Sequence, residues 1–122
     1  MPRRTTGGRE PREWLADADV DKFGVIRKPR WKSAGSADRA ALAAAQHQHD
    51  ISRQAKARMR DIGLNNAETA KRAGMNVDTL GRILNGRTYP TLFDLHCIAT
   101  AVEVPFVGGY LRPGDRSIND AG

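Results

Sequence analysis

The chain has 122 residues, with 20 Lys or Arg against 14 Asp or Glu, a formal net charge of +6 and 39% apolar side chains. That length accommodates one small domain with extensions, and the positive balance favours polyanionic partners. One cysteine excludes an internal disulfide framework, and no apolar run is long enough to cross a membrane.

Residues 1–36 hold nine basic and five acidic side chains, net +4. Low apolar content and clustered charge predict a basic, largely flexible N-terminal arm, with one helical turn at Glu13–Ala16 and a transient strand at Phe23–Ile26. Within it the run Arg27-Lys28-Pro29-Arg30-Trp31-Lys32 offers Arg27, Lys28, Arg30 and Lys32 as DNA contacts, along phosphates or in a minor groove. A solvated basic tail is the competing reading, with equal weight. Trp14 and Trp31 favour docking of the arm, since exposed tryptophan is uncommon without a partner.

Residues 37–49 form an Ala-rich helical extension with Ser36 as a candidate cap. It is expected to run into a helix near Asp50, on which Ile51, Ala55, Met59 and Ile62 make an apolar stripe ended by Gly63. A projecting helix is marginal in water, so this one is expected to pack on the bundle or on a second subunit.

Residues 64–90 carry the sharpest local signals. Asn65 with Glu68 makes a capping box, Gly74 suits a left-handed turn, and Asn76 caps a second short helix to about Leu84. Asn85-Gly86 and then Tyr89-Pro90 stop that helix. Leu80, Ile83 and Leu84 share its inner face, with Met75 beside them, and Val77, Asp78, Gly81 and Arg82 share the outer one. Two such helices around a sharp turn have the layout of a helix-turn-helix. Thr91 with Asp94 then caps a last helix carrying Leu92, Leu95, Ile98, Ala99 and Val102, stopped before Pro105. Residues 50–104 are therefore expected to form the domain, an all-α bundle of four to five helices, and residues 105–122 a tail that is disordered from Arg112 onward.

From Ile51 to Val104, the run Gly63-Leu64-Asn65-Asn66-Ala67-Glu68-Thr69-Ala70, then Gly74, Leu80, Asn85-Gly86 and Pro90, resembles the DNA-binding domain of the Xre/Cro/C1 family, which includes the lambdoid phage repressors. The resemblance implies base reading by Asn66, Val77, Asp78 and Arg82, and phosphate contacts from Asn76, Thr79, Asn85 and Arg87. Arg82 is the strongest candidate, because its planar fork matches O6 and N7 of guanine, and Val77 suits a thymine methyl. Departures are visible. Thr69 stands where relatives usually bury a leucine, and Met59 and Leu84 replace an ion pair with an apolar contact. Asp78, a carboxylate facing the groove, either accepts from a base amine or orients Arg82 four residues on.

Residues 65–122 carry no net charge, so general attraction to phosphate must come from the N-terminal half. His47 and His49, two apart on a helix, point to different sides and cannot share a metal, and His96 and Cys97 read as boundary and small core residues. No metal, cofactor or catalytic group is expected, and the chain does not read as an enzyme. The lone cysteine fits a reducing cytoplasm. The expected function is a sequence-specific, DNA-binding transcriptional regulator, a repressor, acting on double-stranded DNA as a homodimer. The alternative is an antitoxin or antirepressor-type module whose main partner is a protein gripped by the N-terminal extension through Trp14, Phe23 and Trp31.

Overall fold

A computed structural model of the chain describes residues 9–104. Four α-helices follow one another: α1 Arg39–Ile62, α2 Asn66–Ala73, α3 Val77–Leu84 and α4 Leu92–Val102. Short 3₁₀ turns at Pro11–Trp14, Asp17–Lys22 and Ser36–Asp38 precede them. The described residues contain no strand, only an isolated bridge between Leu15 and Trp31. The described part of the protein is all-α, and none of its helices is long and apolar enough to cross a membrane.

Each short helix begins where its cap residue says it must. Asn65 Oδ1 accepts from the Glu68 amide at 2.8 Å while Glu68 reaches back to the Asn65 amide at 3.0 Å. Thr91 and Asp94 repeat that exchange at 3.0 and 3.1 Å. Asn76 Oδ1 accepts from the Asp78 amide at 2.7 Å. These bonds satisfy amides that a helix start otherwise leaves unpaired, each worth about 1 kcal/mol. Between α2 and α3 the chain reverses at Gly74, whose φ of +68° is open to glycine at little cost. Ser36, by contrast, starts a 3₁₀ turn, and the α1 N-cap is Asp38, which makes no side-chain capping bond.

The main core gathers Ala55 and Met59 of α1, Ala70 of α2, Leu80, Ile83 and Leu84 of α3, and Ile98 and Val102 of α4. Met59 and Leu84 both belong to this cluster. Thr69 is fully buried, and its hydroxyl donates to the Asn65 carbonyl at 2.8 Å, so the polar substitution in the core is satisfied locally. At its first turn α4 departs from expectation. Leu92 sits at the N-terminal end of the helix, beyond the reach of the core, and is 72% exposed.

Residues 9–36 are not the flexible arm that their composition predicts. Trp14, Leu15 and Phe23 are buried, and a second apolar cluster joins Trp14 to Ala41 and Ala45 of α1, with Trp31, Ala34, Leu42 and Tyr89 around it. Burying a tryptophan removes roughly 150–250 Å² from water, worth about 4–6 kcal/mol at ~25 cal/mol per Å². The charges that suggested disorder are largely paired: Arg30 with Asp19, Lys32 with Asp17, and Arg12 with Glu10. Helix α1 thus serves two cores, its first half packing on the N-terminal segment and its second on α3 and α4. The parts of the arm and tail before residue 9 and after residue 104 lie outside the described residues.

Candidate nucleic-acid interface

Helix α3 is sharply two-sided. Leu80, Ile83 and Leu84 are 2% exposed or less, whereas Asp78 and Arg82 are exposed and Val77 shows 43% of its surface. The N-terminal segment does not cover this outer row. Asn66, the first residue of α2, is exposed as well, and Thr79 is half-buried. None of the ion pairs among the described residues joins Asp78 to Arg82, so the carboxylate is not orienting the guanidinium here. The row combines a methyl surface, a carboxylate and a guanidinium on one short helix, groups matched to base edges.

At the C-terminal end of α3 the N-terminal segment closes over the loop to α4. The Arg12 amide donates to the Gly86 carbonyl at 2.8 Å, and the Phe23 ring lies against Gly86 so closely that a Cβ there would stand 2.6 Å from Cγ. Gln48 of α1 donates to the carbonyls of Ile83 at 2.8 Å and Thr88 at 2.9 Å. Trp14 Nε1 donates to the Tyr89 hydroxyl at 3.0 Å. The free carbonyls at the end of α3 and the loop after it are thereby held from two directions.

His49 anchors the same closure. Its Nδ1 accepts from the Gly24 amide at 2.8 Å and its Nε2 meets the Ile26 carbonyl at 2.9 Å, so a proton on Nε2 alone satisfies both. Phe23 and Trp31 stand edge-on to the imidazole, with centroids 5.3 and 5.6 Å away. Burial holds its pKa below the usual histidine value of 6.5, against the partial support of the Ile26 carbonyl. Next to it, Lys56 Nζ donates to the Phe23 carbonyl at 3.4 Å and to Asn85 Oδ1 at 3.2 Å. Burial lowers the Lys56 pKa too.

The expected site residues therefore fall into three groups. Asn66, Val77, Asp78 and Arg82 are all exposed around α2 and α3, with Asn76 and Thr79 at the start of α3. Asn85 and Arg87 are exposed just past its end, where Asn85 is engaged by Lys56. The four arm cations separate. Arg27 and Lys28 are exposed, but Arg30 forks onto the buried Asp19 at 3.3 and 3.4 Å, and Lys32 bridges Asp17 at 2.8 Å and the Glu13 carbonyl at 3.0 Å. Those contacts hold the Asp19 and Asp17 carboxyls below their ordinary range, chiefly through hydrogen bonds from Arg30 and Lys32. Arg30 and Lys32 thus fasten the N-terminal segment through carboxylates of that same segment, a role that the sequence pattern did not announce.

The anchors offered for a protein partner are corrected likewise: Trp14 and Phe23 are buried within the chain, and Trp31 packs on His49. Sequence reasoning missed Arg12, Gln48, His49, Arg53 and Lys56. Their roles depend on partners far away in the chain, which no local pattern in the sequence announces. The described residues hold no group of three His, Cys, Asp or Glu side chains able to bind a metal. Comparison with known proteins adds no further identification: no family model matches the chain, and neither does a curated protein or a solved structure.

Proposed function

We propose that the protein is a sequence-specific DNA-binding regulator of transcription, a cytoplasmic repressor that occupies its operator through a helix-turn-helix formed by α2 and α3. The observation that carries this reading is the exposed row Val77, Asp78 and Arg82 on a helix whose opposite face is sealed into the core. A helix so held presents side chains to a major groove without losing its footing. Arg82 reads guanine, Val77 packs on a thymine methyl, Asp78 accepts from a base amine, and Asn66 contacts an outer base or phosphate. Asn76, Thr79, Asn85 and Arg87 fix register on the backbone without reading sequence.

The test is selection of bound fragments from random duplex DNA, followed by affinity measurements on the selected site. Arg82→Ala is expected to weaken binding by about 1–3 kcal/mol and to relax preference at one base pair. Recovery of no common sequence would overturn the proposal.

A second reading, a module whose main partner is a protein, is favoured by one observation. Leu92 and Phe93, adjacent at the start of α4, are 72% and 76% exposed. Exposed apolar pairs of this kind suit a protein contact, and a second copy of the chain on a two-fold symmetric operator is compatible with both readings. Leu92→Ser with Phe93→Ser tests whether the partner on this pair is a second copy of the chain. Loss of self-association with weaker binding to a palindromic site supports the homodimer, and unchanged sedimentation and DNA affinity refute it.

A further inference from the structure

We infer that Arg27, Lys28 and Arg53 form a second anchoring surface for the phosphate backbone, reached by a cationic track that runs from the end of α3 across α1. The inference rests on the DNA-binding reading and extends it to flanking DNA. The track begins at Arg87 and Asn85 in the loop after α3. Asn85 Oδ1 is bonded to Lys56 Nζ at 3.2 Å, which carries the surface onto α1. Arg53 lies three residues before Lys56 on the same helix, hence on the same side and about 4.5 Å along its axis. Arg53, Arg27, Lys28 and Ile26 then line an open groove.

Three further observations point to an anion. None of the ion pairs among the described residues involves Arg27, Lys28, Arg53, Lys56 or Arg87, although most other cations of the N-terminal segment have found carboxylates. Lys56 is half-buried with only carbonyl oxygens for company, an arrangement that a nearby anion relieves. Arg27 and Lys28 are not on a loose tether, since His49 fixes the Gly24 amide and the Ile26 carbonyl immediately before them. The acidic groups nearby are Asp50, within electrostatic reach of His49, and Asp21. Asp21 is 96% exposed and only 3.9 Å from Arg12, in the groove beside Arg87. Asp21 is paired with Arg12 and not with the three cations. A repeating polyanion fits this spread of charge better than a single ligand, and residues 65–122, which carry the groove-reading helix, have no net charge of their own.

The experiment uses the full chain and two duplexes bearing the selected site, one trimmed to the bases under α3 and one extended by a helical turn of unrelated sequence on each side. The wild-type chain is expected to bind the longer duplex more tightly. Arg27→Gln with Lys28→Gln and Arg53→Gln should abolish that gain. It should also lower the magnitude of the slope of log K against log salt on the longer duplex by about 2.7, from ~0.9 per phosphate. Preference for the selected site over a scrambled one is expected to persist. If the triple variant melts early, the exposed pair Arg27→Gln and Lys28→Gln suffices, with a slope change of about 1.8. Equal length dependence and equal slopes in wild type and variant overturn the inference while leaving groove reading intact. Binding of the wild type without any sequence preference removes the underlying reading instead.

Discussion

Replacing Gly86 with alanine tests whether the N-terminal segment rests on the loop after α3. Two costs add. Gly86 has a φ of +73°, and a Cβ in that left-handed region costs about 1–2 kcal/mol. The new methyl would also stand 2.6 Å from Phe23 Cγ and Cδ1 and 2.8 Å from Cδ2, so the ring must give way. Overpacking of that kind costs about 1–3 kcal/mol, which brings the total to about 2–5 kcal/mol. Gly74→Ala is the internal control. Its φ of +68° imposes the first cost, but no other heavy atom lies within 4 Å to impose the second. In urea, with a slope of about 1–3 kcal/mol per M, the two variants are expected to differ by about 1 M in midpoint. Tryptophan fluorescence follows the segment through Trp14, and far-UV circular dichroism follows the helices. Adding Phe23→Leu to Gly86→Ala should recover part of the difference as a coupling of about 0.5–3 kcal/mol. Equal midpoints for the two alanine variants would refute the packing of Phe23 on Gly86.

The buried His49 predicts a pH dependence. Its folded pKa lies below the unfolded 6.5, so the unfolded chain takes the proton first. The stability it contributes is complete above pH 6.5 and declines as pH falls from there to the depressed folded value. His49→Gln should flatten that part of a stability-against-pH profile measured by urea melts, and an identical profile would exclude His49 as the source. Tyr89→Phe leaves Trp14 Nε1 buried without its 3.0 Å acceptor and should cost about 1–3 kcal/mol, read as a lowered urea midpoint. Arg30→Gln removes the partner of the buried Asp19, and should speed tryptic cleavage within residues 9–32 while leaving the circular dichroism of the helices unchanged.

The boundaries of α2, α3 and α4 were legible in the sequence because each is set by neighbours a few residues apart. Asn65 and Glu68, Asn76 and Asp78, and Thr91 and Asp94 are local pairs whose bonds need no tertiary context. The outer row of α3 was legible by the same logic, since its inner face announced itself at helical spacing. The N-terminal segment was not. Its order comes from contacts across 75 residues between Trp14 and Tyr89, and 25 between Gly24 and His49, which no window of composition contains. High charge suggested disorder, yet that inference assumes charges facing water, and Asp19 is 2% exposed under Arg30. Leu92 shows the opposite failure: it fits the apolar period of α4 but stands one turn past the core that period serves.

Helix α3 is consequently held along one face and at its C-terminal end. Its inner face is fixed by the bundle core, and its last turn by Gln48, Phe23 and the Arg12 amide, all belonging to α1 or to the segment before it. Helix α3 is only eight residues long, and the base reading proposed for it requires side chains held within about 0.5 Å. Loosening the segment should therefore blur the placement of Arg82 and Arg87 even while the helices stay folded. Gly86→Ala protein, assayed far below its urea transition, is expected to bind the selected DNA more weakly than its folded fraction accounts for. Gly74→Ala, which leaves Phe23 in place, should lose less. Identical affinities for the two would mean that α3 owes its aim to the bundle core and not to the segment that covers its end.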